Sequence, residues 1–570
     1  MALLDVEQPG YGAVAAAQHT ERRRRRHRSA GLLVAVAAAV FAGHRAVGRV
    51  ATAAAPTARG PITLRAERAV ADADGAVRVD IDLLDQPEVR AYLKLNGVDT
   101  DDDTDDWVPT RVALTLHEAR ARGGVGAHAL EGGVLFNVVF WDGGAYTSSL
   151  LLFVNLTGTV LRVKPLGADS AGNRIHVNGL KMHTPSTALC AGNANASGEE
   201  GPALMYHWEP NTLEILGRDE WGGSHDIQWQ GGGNGSYWRA GTKSLVRYDA
   251  RTGATLERLP LSSAFTDINH FQMLENQTEQ FVINGRVTNN FAMVSHTDSS
   301  STVWQCGGDG GDFEIADLTT GVVYAPGGGQ PWAGQHNLEY YGNGDFYLFD
   351  NNFNATSGEY LGDASLLKVH VDEGTRKAQV TWRYGLGHES AIFGDADRLP
   401  TGNVLATEWP RVYPSDVAAQ YDARVFEVTP ESDVAFEIKV VGKACEDDAC
   451  ADRSTDGQAP SGWAMYSAER VYFKPLVYDV SCSPSSGARP ARLAFTTNAA
   501  IKLSRTTSGS FAVRAASSAG DIAQGAVVWR PHWLPTTVNV TLALESAREV
   551  TLTVTDEWDL TREVTASCYE

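Results

Sequence analysis

One pattern returns along this chain: a histidine at the head of a short run, a polar turn, then a second run that alternates or is apolar. His225 opens HDIQWQGGGNGSYWRA, His270 opens HFQMLENQTEQFVINGR and His336 opens HNLEYYGNGDFYLFDNN. A fourth, looser copy, DADRLPTGNVLATEWP, starts at Asp395 and lacks the histidine. Self-similarity at roughly 45 to 65 residues marks a repeated β-unit, most simply a propeller blade. Equivalent positions of successive blades meet around one axis. Three imidazoles far apart in sequence are therefore expected to converge on one pocket.

The rest of the chain agrees with an all-β reading. LVRYDARTGATLERL (245–259), LLKVHVDEGTRKAQVTWRYG (366–385) and RVFEVTPESDVAFEIKV (424–440) each read as a hairpin around a polar turn. Counting such units between 126 and 475 gives about six blades. Long helical periodicity is scarce, and 57 glycines supply the turns. Residues 60–125 carry strand-like runs such as AVRVDIDLL and RVALTLHEA, separated by the acidic stretch DTDDDTDD (99–106). That stretch lacks the glycine and distal glutamate of a calcium loop, and reads as a solvated loop. From 476 to 570 the composition turns to Ser, Thr, Val and Ala with short strand-like runs, as in a small β-sandwich. The expected architecture is a six-bladed β-propeller with a C-terminal β-sandwich and an N-terminal membrane anchor.

Residues 1–59 stand apart from that fold. The basic block ERRRRRHR (21–28) precedes the apolar run AGLLVAVAAAVFAG (30–43). A basic flank before an apolar run sends the downstream chain out of the cytosol. The run is short beside the ~20 residues of a bilayer span. We expect a signal-anchor through 30–43, facing the secretory lumen or the exterior, with a cleaved signal and secretion as the alternative. Asn-x-Ser/Thr sequons at Asn155, Asn195, Asn234, Asn276, Asn354 and Asn539 fit a glycoprotein. Six cysteines suggest pairs: Cys445 with Cys450, Cys482 with Cys568, and Cys190 and Cys306 left over to pair with each other. A net charge of −21 makes nucleic acid an unsuitable partner.

A lone histidine beside an acid, or a lone arginine after a strand, is ordinarily structural. The shared repeat position is what singles out His225, His270 and His336, with Arg286 closing the second run of the His270 repeat. In order along the chain, HDIQ, DINHFQ, FVINGR, WQCGGDGGDF, GQHNLEYYGNGDFYLFDNN, VTWRYG and LPTGNVLATEW resemble the arylsulfotransferase (arylsulfate sulfotransferase) family, in its broad, partly eukaryotic branch. The resemblance covers roughly residues 200–475. It implies a six-bladed β-propeller, a small aryl sulfate donor and a phenolic acceptor. It also implies a covalent sulfohistidine, with no cofactor and no adenosine phosphosulfate. The QH histidine, His336, matches the family's nucleophile; the D-x-x-H histidine is His270, the arginine after it Arg286, and the HD histidine His225. Two departures stand out. Gln272 replaces an asparagine of the bacterial members, and their acidic, cysteine-paired insert before the QH motif is missing.

These residue types suit sulfuryl transfer on chemical grounds. A loose transition state puts charge on the equatorial and leaving oxygens, by analogy with phosphoryl transfer. Arg286 offers a fixed fork of donors. His225 and His270 can donate, or protonate a departing phenolate. Positive charge near His336 would lower its pKa and keep its nucleophilic nitrogen free. Other chemistries find less in the sequence: GTKS (241–244) is not a phosphate-binding loop, and neither H-E-x-x-H nor C-x-x-C occurs. Two further readings stay open, a catalytically silent propeller that binds a ligand or partner, and a metal site built on the three histidines.

Overall fold

The computed structural model describes much of the chain from Ala69 to Tyr569; the longest stretches outside the description are 1–68, 96–108, 118–127, 167–174, 411–420 and 443–461. The apolar run 30–43, the acidic loop 99–106, the Cys445–Cys450 pair and the sequons at Asn195, Asn234 and Asn276 lie outside the described residues. Among the described residues no helix is long and apolar enough to cross a membrane. The fold is all-β: the described residues contain one α-helix, Pro87–Leu95, among many antiparallel strands.

Six sheets succeed one another along the chain, and most are meanders whose strand order is chain order. The first comprises His176–Thr184, Thr187–Asn193, Glu200–His207 and Thr212–Arg218. The second is Ile227–Gln230, Ser236–Ala240, Ser244–Asp249 and Thr255–Pro260, and the third Ile268–Leu274, Gln277–Gly285, Asn290–Ser295 and Thr302–Gly307. The fourth runs His336–Tyr340, Asp345–Asp350, Ser365–Asp372 and Lys377–Gly385, with Glu314–Asp317 added in parallel at its outer side. The fifth is Asp395–Arg398, Val404–Glu408, Ala423–Val428 and Val434–Gly442. The sixth joins distant parts of the chain: Gly462–Ala464 and Ala468–Val471 pair with Gly133–Asp142, which continues into Ala145–Asn155 and Thr159–Pro165.

The N-terminal strands are not a unit of their own. Pro109–Leu116 pairs with Val434–Gly442, and Val77–Asp82 and Ala69–Ala71 follow it outward, so 69–116 extends the fifth sheet. The alternation in Val77–Asp82 explains why: Val79 and Ile81 are buried while Asp80 is exposed.

The leading strands of the sheets behave differently. Ile268–Leu274 and His336–Tyr340 are almost wholly buried although they carry Asn269, His270, Gln272, His336, Asn337 and Glu339. Buried polar groups need partners, and here they find them in the next sheet. Gln228 donates to Phe271 O and accepts from Met273 N. Gln272 donates to Tyr340 O at 2.9 Å and accepts from Tyr340 N at 2.7 Å. Asn337 donates to Asp397, Ala468 N donates to Asp395, and Ser467 donates to Asn178 O. Polar side chains thus tie each leading strand to the next, from the second sheet round to the first.

Residues from Leu476 form two further sheets. Leu476–Ser483, Ala491–Asn498 and Thr536–Leu542 make one; Asp521–Trp529, Thr507–Ala515, Arg548–Thr555 and Thr561–Cys568 make the other. Their inner faces share a core that includes Leu493, Phe495, Val513, Trp529, Val550 and Leu552. Cys482 and Cys568 form a disulfide between the two sheets, with Cα atoms 4.7 Å apart. Cys190 and Cys306 do not pair: each is free and buried, one in the first sheet and one in the third, where both thiols serve as small apolar groups.

Candidate functional site

The repeat that brings out three histidines is not in register in space. Gln228 and Gln272 have the same task, each accepting an N–H from the next leading strand. The residue three before each is His225 and Asn269, and the residue three before Glu339 is His336. The pairing is irregular at Ile268/His270 and at His336/Leu338, so His270 does not hold the position of His336. Successive strand residues point to opposite sides, so one residue is enough to turn a side chain away.

The surroundings follow that register. His225 and His336 both feel the Arg286 guanidinium and the Asp267 carboxylate. Both rings also flank Tyr466, each with its centroid 6.0 Å from the tyrosine ring. His270 Nδ1 instead lies 3.1 Å from Asp226 Oδ2, which can accept its N–H, and its electrostatic neighbours are Lys181, Asp397, Lys502 and His532. Its Nε2 is buried without a hydrogen-bond partner among the described residues. His225 and His270 both line a narrow cavity, with Lys181, Asp226, Asp395 and Tyr466. The structure places His225 and His336 under the influence of Arg286; it places His270 among the lysines and carboxylates instead.

Local structure fixes each member of that group. Gly334 sits at φ +62°, where a Cβ would lie 2.4 Å from Phe353 O, so the turn into the His336 strand requires glycine. Gln335 follows, and its amide donates to Asn284, Gly285 O and Asn290 O of the third sheet. Arg286 is held by Asp267 twice, through Nη1 to Oδ2 at 3.0 Å and through its backbone N–H to Asp267 O at 3.1 Å. Asp267 itself is left-handed, φ +60°.

His336 is 3% exposed and hydrogen-bonded on both nitrogens. Nδ1 lies 2.6 Å from Asn351 Oδ1, and Nε2 accepts the Phe393 N–H at 3.3 Å. Phe393 is also left-handed, φ +66°, an uncommon state for a bulky residue and one found where surrounding structure enforces it. Its ring stacks on Trp409 and meets Tyr466 edge-on at 5.1 Å. An aromatic wall thus stands beside the imidazole. Burial, then the Arg286 charge, pushes the His336 pKa down to about 3, so the ring is neutral at physiological pH. Burial first, then Arg286, also lowers that of His225, against the pull of Asp267. Burial raises the pKa of Asp267, but His225 and Arg286 outweigh it and hold the carboxylate ionised.

The cluster therefore offers one fixed cation, two neutral imidazoles, one carboxylate and an aromatic wall. That combination suits an anionic group carried on a ring. Among the described residues no three His, Cys, Asp or Glu side chains are placed to hold one metal ion. Gln272, which departs from the bacterial pattern, is occupied by both of its bonds to Tyr340. Sequence reasoning assigned no role to Asp267 and Asn351, although both stand in quoted motifs, DINH and FDNN. Phe393 and Tyr466 gave no signal, because one lies in an irregular turn and the other in the link between Gly462–Ala464 and Ala468–Val471.

No family model matches the chain, and no curated protein matches it. Among solved structures it is similar to the hydrazine synthase of Kuenenia stuttgartiensis, at 10% identity and a TM-score of 0.30, over 57% of this chain and 76% of that one. It is also similar to the glutaminyl cyclase of Myxococcus xanthus, at 12% identity and a TM-score of 0.22, over 35% of this chain and 76% of that one. Likeness at this level is silent on substrate and reaction.

Proposed function

We propose that the six sheets are the blades of a β-propeller and that the protein transfers a sulfuryl group from an aryl sulfate to a phenol through His336. The observation that carries this reading is a buried, neutral imidazole beside the Arg286 guanidinium, with its Nε2 lone pair directed at nothing but one backbone N–H. In the first half-reaction Nε2 attacks sulfur and the aryl oxygen leaves with its electron pair. Arg286 stabilises the charge on the sulfuryl and leaving oxygens. The Phe393 N–H, no longer needed by the lone pair, is close enough to serve a sulfuryl oxygen. In the second half the acceptor oxygen attacks, and neutral His225 takes its proton. Phe393, Trp409 and Tyr466 supply the apolar surface for the ring. His270 acts by holding Asp226, and does not touch the sulfuryl group.

One observation favours the competing reading of a silent ligand-binding propeller: the Phe393 N–H already occupies the nucleophilic nitrogen. A single experiment separates the two. The protein is exposed to a chromogenic aryl sulfate without acceptor, and its intact mass is measured. Transfer chemistry predicts one sulfuryl group, absent in His336→Ala, released on addition of a phenol with ping-pong kinetics. Full activity in His336→Ala refutes the mechanism. We further propose that the chain is held in a membrane through 30–43 and faces the lumen or exterior, in keeping with the Cys482–Cys568 disulfide. Glycosidase digestion should then shift the mass of protein taken from secretory membranes.

A further inference from the structure

The hydrogen bonds of Asn351 can be accounted for atom by atom, and they fix where the proton of His336 sits. Asn351 directly follows the Asp345–Asp350 strand and is fully buried. Its Nδ2 donates to Ser390 O at 3.2 Å and to Phe393 O at 3.0 Å. A carboxamide has two N–H donors and one carbonyl, so both donors are used and Oδ1 is what faces His336. A carbonyl can only accept. The His336 Nδ1, 2.6 Å away, must carry the proton, and the lone pair is on Nε2, where the Phe393 N–H points.

We propose that Asn351 is a positioning residue for sulfuryl transfer, with two tasks. It holds His336 as the Nδ1–H tautomer, which makes Nε2 the attacking atom. It also keeps the sulfuryl adduct in its labile form, because an amide oxygen accepts a hydrogen bond without taking the proton. This inference rests on His336 being the nucleophile. Attack forms the S–Nε2 bond and breaks the S–O bond to the aryl oxygen, whose electron pair leaves with the phenolate. The ring then carries hydrogen on Nδ1 and a sulfuryl group on Nε2 and is an imidazolium. When the acceptor oxygen bonds to sulfur, the S–Nε2 pair returns to Nε2 and a neutral imidazole departs, while the acceptor proton goes to His225. A base at position 351 would remove the Nδ1 proton from the adduct. Departure would then have to release an imidazolate, a much poorer leaving group.

Two measurements test this. In wild-type protein labelled with [15N]histidine, the His336 signals, assigned by their loss in His336→Asn, should report the neutral Nδ1–H tautomer at neutral pH. The Nε2–H tautomer overturns the proposal, and this arm needs no change at Asn351. In Asn351→Asp, aryl sulfate alone should still place a sulfuryl group on His336, but its transfer to a phenol should slow about 10–100-fold, the worth of one hydrogen bond to a charged group. An adduct with wild-type lifetime in that variant, or none in a folded variant, refutes the second task. No adduct on the wild-type protein refutes the nucleophile reading itself, and the proposal falls with it.

Discussion

His225 and His336 lie within electrostatic reach of a single fixed cation, Arg286, which pairs with Asp267. In a second group, Lys181 and Lys502 act on Asp226, Glu339, Asp395, Asp397 and Glu469. The two regions bury charge to different ends. In the lysine group, the C-terminal part of the chain adds its own bonds: Lys502 Nζ bonds Glu339 Oε2 at 3.0 Å and also Asp397, Ser504 bonds Trp229 O, and His532 Nε2 lies 2.9 Å from Met273 O. His532 and Trp533 are both left-handed there, φ +53° and +55°, in the turn that packs against Tyr341. The histidine side keeps Arg286 and Asp267 part-exposed, at 14% and 29% of their side chains. Lysines and carboxylates that pair with one another hold sheets together; a part-exposed cation beside buried neutral imidazoles can receive an anion.

The sharpest way to break this comparison is to remove one member from each region. His336→Asn should bring transfer down to the uncatalysed background while leaving donor binding and thermal unfolding close to wild type; steady-state kinetics and a melting curve measure both. Lys502→Met should do the opposite. It leaves Glu339 and Asp397 without their closest cation, and breaking a buried pair in this way costs about 3–5 kcal/mol. Denaturant unfolding should show that loss, with the rate per folded molecule unchanged. Loss of activity without loss of stability in Lys502→Met would show that the two regions are not separate.

Arg286→Ala should lower turnover by roughly 10²–10³, the size seen for one charge-stabilising donor, and Arg286→Lys should recover only part of it. The effects of pH have opposite signs in the two regions. His336 has its pKa depressed to about 3, so on unfolding it gains a proton at any pH between that value and its ordinary 6.5. Stability therefore rises with pH across that window, and His336→Asn should flatten the rise. Burial raises Glu339 to about 7, from an ordinary 4.5, against the pull of Lys502. Unfolding releases its proton within that window, so its part of the stability falls as pH rises through it. Glu339→Gln should remove that fall. Unfolding measured in denaturant at a series of pH values separates the two slopes.

Hairpins such as 244–260, 365–385 and 423–442 were legible because they are local: alternation and a polar turn lie within a few residues. The two-sheet C-terminal region and its Cys482–Cys568 staple were legible for the same compositional reasons. The separateness of 60–125 was misread, since nothing in Pro109–Leu116 says that its partner lies at Val434–Gly442. The sixth sheet hides its origin in the same way, with Gly462–Ala464 and Ala468–Val471 pairing with Gly133–Asp142.

Sequence alone determined the period of the strands, the presence of three histidines and an arginine at the heads and ends of runs, and the acidity of the chain. Tertiary structure decided which of them face one another. A strand alternates its side chains every residue, and the pairing is irregular at Ile268/His270 and His336/Leu338, so the sense of His270 relative to His225 and His336 cannot be read by aligning letters. It also decided the chemistry of His336. Its protonation depends on burial, on Arg286 from the third sheet, on Asn351 from the strand beside it and on Phe393 from the turn before the fifth sheet, four influences that only folding places around one ring.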